Sequence, residues 1–264
     1  MGQLACTSDY RPPYTTILGV GLFRTRWFFF AFVAAVQTKS IRAFISVPTK
    51  TLIWVSAGLI GNNAFYLAAI SRVGPAEANV IHYLWPVLFV VLVSALQQRS
   101  TTWRQKLGIS CGFIGVAIAL YPHMDGNLSL TGVLFGFCGA LTFAIYSVGR
   151  SIEKMGTDVI GPSLGLAGFG ALSAHVVLEP AHLLTTQQWI AVTLIGIGPF
   201  TIANMFWDQA TRKGSAATIS SLAFLTPLVA IGLLSILGLN AFTLATLVGA
   251  LFTVVGALVS SASE

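Results

Sequence analysis

The sequence predicts an all-α, polytopic membrane protein made of two five-helix units in inverted orientation. Three observations support this fold class: the composition, the spacing of the apolar segments and an internal repeat. The 264 residues are 55% hydrophobic and only 8% charged, with a mean hydropathy of +0.83. Soluble domains carry about 25% charged residues, so one globular core could not bury this much apolar surface.

Apolar segments recur about every 25 residues, and most reach the ~20 residues that a helix needs to cross a bilayer. We predict about nine membrane helices, at 16–37, 51–70, 76–97, 104–121, 128–149, 159–178, 188–208, 216–237 and 241–260. The polar N-terminus carries no cleavable signal pattern. The connecting segments are too short to form a soluble domain.

An internal repeat emerges when the chain is shifted by 141 residues, the spacing from Pro86 to Pro227. The other pairs that align without a gap include Phe65 and Phe206, Ala69 and Ala210, Gly108 and Gly249, and Gly115 and Gly256. The repeat assigns residues 1–125 to a first unit and residues 126–264 to a second. The first unit then lacks the opening helix of a ten-helix plan, as expected of either a shortened variant or a truncated chain.

Two consecutive units of five helices must lie in opposite orientations, an arrangement common among secondary transporters. Most cations fall in or beside alternate connections, namely Lys39, Arg42, Lys50, Arg99, Arg104, Lys106, Arg150, Lys154, Arg212 and Lys213. The remaining connections hold only Arg72, with Asp125 and Glu179. The positive-inside rule therefore predicts a cytoplasmic C-terminus, in a bacterial-type inner membrane. Cations placed in this way set orientation and do not indicate nucleic-acid binding.

The stretch "VIHYLWPVLFVV" places a proline in the middle of a membrane helix. Pro86 lies about ten residues, or roughly 15 Å, from the start of its helix, near the bilayer midplane. It supplies no amide hydrogen, so we expect the carbonyl of His82 to lose its helical partner. Pro227 would free the carbonyl of Ala223 in the same way. Matching helix breaks in two repeats indicate a binding site at the midplane. The alternative is a pair of kinks that only lets helices pack.

Several polar and aromatic residues lie three or four positions apart, and so on one face of their helices. Such faces turn toward the interior of a membrane bundle. The predicted substrate-binding residues from these faces are Asn63, Tyr66, Asn79, His82, Tyr83, Tyr146, Asn204 and Trp207, with Asn62 and Phe143 on the same stripes. Aromatic rings with polar tips suit a small amphipathic solute. The alternative interpretation is ordinary hydrogen bonding between helices. If transport is proton-coupled, His82 is the titrating candidate.

The ionisable residues near the helices have simpler interpretations. Glu77 lies in a first helical turn, where the helix dipole favours a carboxylate, so we prefer a capping role to proton coupling. Asp208 precedes Arg212 by four residues, which predicts an ion pair at the helix end. We expect Arg24 and Arg26 to extend toward the membrane surface, although an arginine facing the cavity would attract a carboxylate.

Enzyme chemistry has no support in the sequence. No zinc-protease, nucleophile-elbow or phosphate-loop motif is present. Cys6, Cys111 and Cys138 lack metal-ligand spacing, and we expect them to act as small buried hydrophobic residues and not as a disulfide framework. We predict no catalytic residue, no metal and no cofactor. The expected partners are the lipid bilayer and a small-molecule substrate, and a homodimer is compatible with the sequence.

Several segments resemble a known family. They are "LFRTRWFFFAFVAAV" (22–36), "NNAFYLAAISRVGPAEANVIHYLWPVLFVVL" (62–92), "LGISCGFIGVAIALY" (107–121), "GALTFAIYSVGRSIEK" (139–154) and "MFWDQATRKGSAATISSLAFLTPLVAIGLL" (205–234). In order and spacing they resemble the EamA-type drug/metabolite transporter superfamily, whose members have two five-helix repeats. Glu77 followed by "HYLWP", and the Trp207-Asp208 pair, are most similar to the aromatic amino-acid exporter branch. That resemblance implies a central cavity and adds Trp85 to the site residues, beside His82, Tyr83 and Trp207.

Together these features predict an exporter of small metabolites that works by alternating access, with neutral or aromatic amino acids as the first substrate candidates. Two alternatives stay open. One is export of another class of substrate, such as cationic drugs or sugar-linked nucleotides. Cationic drugs would favour an acidic residue in the cavity, and nucleotides would favour a cluster of cationic residues. The other is a non-transporting membrane protein that derives from a truncated gene.

Overall fold

The computed structural model describes residues 47–97, 101–124, 126, 128–153, 159–178, 185–236 and 243–261. Within these ranges all regular structure is helical. The helices are α1 (Thr49–Val73), α2 (Pro75–His82), α3 (Trp85–Gln97), α4 (Trp103–Leu120), α5 (Leu130–Ile152), α6 (Ile160–Leu178), α7 (Thr186–Ile197), α8 (Ala203–Lys213), α9 (Ala216–Ala223), α10 (Leu225–Ile236) and α11 (Leu244–Ser261). A 3₁₀ turn follows α4, and a π-helical segment, Gly198–Ile202, joins α7 to α8. The predicted helix 16–37, with Arg24 and Arg26, lies outside the described residues.

Among the described residues, four segments are long and apolar enough to cross a bilayer. They are Thr49–Val73, Pro75–Gln97, Leu130–Ile152 and Ala216–Leu233. Helix α4 has 18 residues, or about 27 Å of axis. Trp103 at its start and Tyr121 just past its end are 71% and 75% exposed. Exposed aromatic residues at both ends of a helix are typical of the two membrane–water interfaces.

The helix bounds confirm the internal repeat. Helices α2 and α9 have bounds related by 141 residues, and so do α4 and α11. Helix α4 packs along α11, with Gly108 against Gly256 and Gly115 against Gly249. The two helices therefore run antiparallel, and equivalent positions make reciprocal contacts, as a two-fold axis requires. The two repeats thus have opposite orientations.

In the described part of the chain, four helices begin at a hydroxyl side chain that accepts a hydrogen bond from the amide three residues later, as an N-cap does. These residues are Thr102, Ser129, Ser215 and Thr243. Thr102 and Gln105 form a reciprocal capping box at the start of α4. Helices α4 and α11 therefore begin at equivalent capped positions, which fixes the register of their contact.

The first repeat has a broken helix at the place that the sequence predicts, and α2 ends at His82, the residue whose carbonyl was expected to lose its helical partner. The amide of Tyr83 donates to the carbonyl of Asn79 at 2.8 Å, and that of Leu84 donates to Ile81 at 3.1 Å. Pro86 is the second residue of α3. Its ring excludes a regular helix in the preceding turn, whereas the first turn of a helix accommodates proline.

The second repeat breaks at the equivalent place. Phe224 separates α9 from α10, and Pro227 is the third residue of α10. Both Pro86 and Pro227 are buried, so neither faces the lipid. The two broken helices meet inside the bundle, where the candidate site lies.

Candidate functional site

A cavity of about 730 Å³ lies between α1, the two broken helices, α5 and α8. Its lining residues are Asn62, Asn63, Tyr66, His82, Trp85, Phe143, Ala203, Asn204, Phe206, Trp207, Ala210, Ile219, Leu222, Ala223 and Thr226. Pockets for small molecules typically enclose about 300–1,000 Å³. A metabolite of amino-acid size therefore fits this cavity.

The cavity is placed by the two helix breaks. His82 is the last residue of α2, and Trp85 is the first residue of α3. Ala223 is the last residue of α9, and Thr226 is the second residue of α10. Each repeat thus contributes residues from both sides of its helix break to the cavity. Interrupted helices of this kind expose backbone only where it lines a cavity or packs against protein.

Polar side chains from α1 and α2 form hydrogen bonds at one wall. His82 Nε2 lies 2.7 Å from Asn62 Oδ1, and the Tyr66 hydroxyl donates to Asn79 Oδ1 at 2.5 Å. Asn63 Nδ2 donates to the Leu59 carbonyl at 2.7 Å. The rings of Tyr66 and His82 have centroids 4.7 Å apart. These contacts hold the polar side chains in fixed positions on the wall.

Aromatic rings form the end of the cavity nearest to α5 and α8. The Trp207 ring meets the Trp85 ring edge-on, with centroids 4.8 Å apart, and stacks on Phe143 at 5.8 Å. Phe143 and Trp85 also meet edge-on at 4.9 Å. The Trp207 indole donates to Ser147 Oγ at 2.9 Å. This aromatic floor, consisting of Trp85, Phe143 and Trp207, fixes the position of three rings that a solute would contact.

A buried charge network lies directly beyond the aromatic floor, since Phe143, Ser147 and Arg150 occupy successive turns of α5. The side chains of Arg150 and Asp208 have no exposed surface. Arg150 Nε donates to Asp208 Oδ1 at 2.5 Å, and Arg150 Nη2 donates to Asp208 Oδ2 at 3.3 Å. In this network Arg150 pairs with Asp208 from another helix, so each buried charge has a partner of opposite sign.

The network continues to the ends of three helices. Arg150 Nη1 donates to Glu153 at 2.5 Å, and Thr51 donates to the same carboxylate at 2.9 Å. Arg212 Nε donates to Asp208 at 3.1 Å. The structure therefore confirms the ion pair predicted between Asp208 and Arg212. Arg150, the more deeply buried partner of Asp208, was considered in the sequence only as one of the cations in or beside the connecting segments.

Three predicted site residues lie outside the cavity lining. Asn79 reaches the cavity only through its hydrogen bond with Tyr66. Tyr83 packs against Phe224, with ring centroids 6.3 Å apart. Tyr146 is 1% exposed within the core between α1 and α6. Its hydroxyl has no hydrogen-bond partner in the described part of the chain.

Glu77 lies in the first turn of α2, as the sequence predicts, where the helix dipole favours a carboxylate. Its side chain is buried, and Oε1 accepts a hydrogen bond from the Gly126 amide at 2.9 Å. Gly126 has φ +72°, a conformation that glycine adopts without strain. Glu77 thus attaches the segment between the two repeats to the start of the broken helix.

Most of the second-repeat wall consists of residues that were not predicted from the sequence. These lining residues are Ala203, Phe206, Ala210, Ile219, Leu222, Ala223 and Thr226. The repeat offset could have found three of them, because Ala203, Ala223 and Thr226 are the equivalents of Asn62, His82 and Trp85. Small apolar side chains carry no chemical signal of their own, so only this symmetry marks them.

Comparison with known proteins identifies the family. A model of the EamA-like transporter family matches residues 7–121 and again residues 130–262. The chain belongs to the EamA-like transporter family. This EamA-like transporter is therefore an integral, multi-pass membrane protein that transports small molecules.

Individual relatives of this EamA-like transporter carry related names. It is 30% identical over 217 residues to the aromatic amino acid exporter YddG of Ancylobacter novellus, covering 79% of this chain and 75% of the relative. It is 26% identical over 215 residues to the uncharacterized transporter YyaM of Bacillus subtilis, covering 77% and 70%. A solved crystal structure matches with a TM-score of 0.80 at 23% identity, over 97% of this chain and 90% of that one. The last match supports the fold alone.

Proposed function

We propose that this transporter exports small amphipathic metabolites, with neutral and aromatic amino acids as its main substrates. The observation that carries the proposal is the cavity of about 730 Å³ at the junction of two repeat-related broken helices. Its wall combines amide and imidazole groups with aromatic rings, which suits a solute with a polar head and an apolar side chain. The relative named as an aromatic amino acid exporter supports the same substrate class.

The proposed mechanism is alternating access. The two repeats rock against each other about the helix breaks, so that the cavity opens to each side in turn. In the conformation described, the aromatic floor and the Arg150 network separate the cavity from the bundle end that contains Thr51 and Glu153. We propose that this end is cytoplasmic, because Lys50, Arg104, Lys106 and Lys213 lie beside it. The C-terminus is then cytoplasmic, in a bacterial inner membrane.

Export of cationic drugs is the competing function. A cation in a membrane cavity is favoured by an acidic side chain on its wall. Among the described lining residues there is no Asp or Glu. Amides, imidazole and indole instead favour a solute without net charge.

Counterflow in proteoliposomes tests the proposal. The purified protein is reconstituted, loaded with unlabelled amino acid and assayed with labelled phenylalanine, tryptophan, leucine and alanine, with and without a pH gradient. We expect exchange well above that of empty liposomes. Exchange of a cationic drug or a sugar-linked nucleotide, without exchange of any amino acid, would contradict the proposal. Stimulation by the gradient that disappears in a His82→Gln variant would identify His82 as the proton-coupling group.

A further inference from the structure

The cavity is nearly symmetric in its backbone but one-sided in its chemistry. Asn62 on the first repeat faces the same cavity as its equivalent, Ala203, on the second. His82 is likewise matched by Ala223. At both pairs the first repeat presents a polar group and the second presents a methyl group. The two walls therefore offer different surfaces to a solute held between them.

The first-repeat wall has hydrogen-bonding groups that its own contacts leave available to a solute. Asn62 Oδ1 is engaged by His82 Nε2, which makes His82 Nδ1 an acceptor and leaves the Asn62 amino group as a donor. Asn63 uses its amino group on the Leu59 carbonyl, and its Oδ1 remains an acceptor. Trp85 adds an indole N–H donor. None of these four remaining groups has a partner among the described residues.

This combination of donors and acceptors is specific in its chemistry. A carboxylate takes donors, such as the Asn62 amino group and the Trp85 indole. An ammonium group takes acceptors, such as Asn63 Oδ1 and His82 Nδ1. A wall of donors alone would suit an anion, and a wall of acceptors alone would suit a cation. A wall with both suits a zwitterionic α-amino acid head group.

The second-repeat wall is mainly apolar. Ala210, Ile219, Leu222 and Ala223 line it, and the Trp207 indole is already engaged by Ser147. Asn204 and Thr226 are its polar members. Small aliphatic side chains beside an aromatic ring form a surface that accepts apolar side chains and discriminates among them by size.

Resting on the proposed function, we propose that the cavity binds an α-amino acid in one orientation. The head group lies on the first-repeat wall at Asn62, Asn63, His82 and Trp85. The side chain lies on the second-repeat wall at Leu222 and Ala223. The two repeats thus have different roles in recognition: the first binds the zwitterionic head group, and the second determines which side chains are accepted.

Competition on the unmodified protein provides the first test. Labelled phenylalanine counterflow is competed with phenylalanine, with phenethylamine, which lacks the carboxylate, and with 3-phenylpropionate, which lacks the ammonium group. We expect both analogues to compete at least about tenfold less well, because each leaves two hydrogen-bonding groups unpaired. Equal competition by either analogue overturns the proposal. If the unmodified protein exchanges no amino acid, the proposed function itself fails, and the present inference fails with it.

Two variants test the division between the walls. Asn62→Ala is expected to lower counterflow of phenylalanine, leucine and alanine by a common factor of about ten. Ala223→Leu is expected to lower phenylalanine counterflow about tenfold or more relative to alanine counterflow, because the larger side chain occupies the space beside the second-repeat wall. The proposal is overturned if Asn62→Ala changes the ratio of phenylalanine to alanine while Ala223→Leu leaves it unchanged. Asn62→Asp provides a second head-group variant, expected to shift preference toward phenethylamine.

Discussion

The Tyr83 ring packs against the Phe224 ring, with centroids 6.3 Å apart. Each residue immediately follows the first half of the broken helix in its own repeat, and the two are separated by the repeat offset. The contact therefore joins the two breaks directly. Phe224 is fully buried, and it also covers Gly112 of α4. A motion of one repeat against the other must act on this contact.

We predict that Phe224→Ala destabilises the protein strongly. Truncation of a buried phenylalanine leaves a cavity and typically costs about 3–5 kcal/mol. The measurement is the thermal unfolding midpoint in detergent. Phe252→Ala makes the same truncation at a site that is 40% exposed, and it should shift the midpoint much less. Equal shifts for the two variants would contradict a structural role for the Tyr83–Phe224 contact.

The interface of α4 with α11 makes a second prediction. A methyl group at Gly115 would overlap the Gly249 carbonyl and the side chain of Thr253. Gly115→Val should therefore separate the two helices and lower both the yield of folded protein and its thermal midpoint, because close backbone approach needs small residues. Gly232→Val is the matched control, since a Cβ atom there would meet no atom within 4 Å. Similar losses in both variants would show that helix propensity, rather than this contact, sets the effect.

Much of this fold could be predicted because the membrane restricts it. The proline-containing segments and the paired glycines carried the repeat signal in the sequence, and the helices that contain them are equivalent in the structure. The position of the break within each segment also followed from the sequence. The first half of each broken helix ends at the residue whose carbonyl the proline was expected to leave without a helical partner, His82 in one repeat and Ala223 in the other.

Prediction of the site was less complete. Residues such as Asn63, His82 and Trp207 can be recognised in the sequence because side chains with polar tips are rare in membrane helices. Tyr146 has the same sequence character but lies in the core. The sequence could not show this, because the spacing that defines a helical face does not tell which neighbouring helix covers it. The pairing of Arg150 with Asp208 joins residues 58 positions apart, which no local spacing reveals.

The Arg150 network makes a third prediction. Asp208→Asn removes the charged partner of a fully buried guanidinium, and breaking a buried pair from one side typically costs about 3–5 kcal/mol. Glu153 still pairs with Arg150, so we expect a loss toward the lower part of that range. The measurement is again the thermal midpoint, with Lys213→Gln, at an exposed site, as the control.

A double-mutant cycle separates pairing from packing in this network. If Arg150 and Asp208 stabilise each other, Arg150→Gln combined with Asp208→Asn should be less destabilising than the sum of the two single changes. Strict additivity would show that the two charges act independently. The cycle also bears on mechanism, because a network that closes one end of the cavity must separate when that end opens. The double variant should then exchange substrate with a weaker dependence on temperature than the unmodified protein.

The last prediction concerns the volume of the cavity itself. Ala210 lies on the second-repeat wall, and Ala210→Trp would place a large ring where a substrate side chain must lie. We expect amino-acid counterflow to fall to the level of empty liposomes while the protein keeps its thermal midpoint, because the ring enters existing space instead of displacing packed atoms. Ala57→Trp introduces the same side chain at an exposed position on α1, and it should leave counterflow intact. Retained exchange in a folded Ala210→Trp variant would mean that the substrate does not pass through this cavity, since a solute of amino-acid size and the new ring would compete for the same volume.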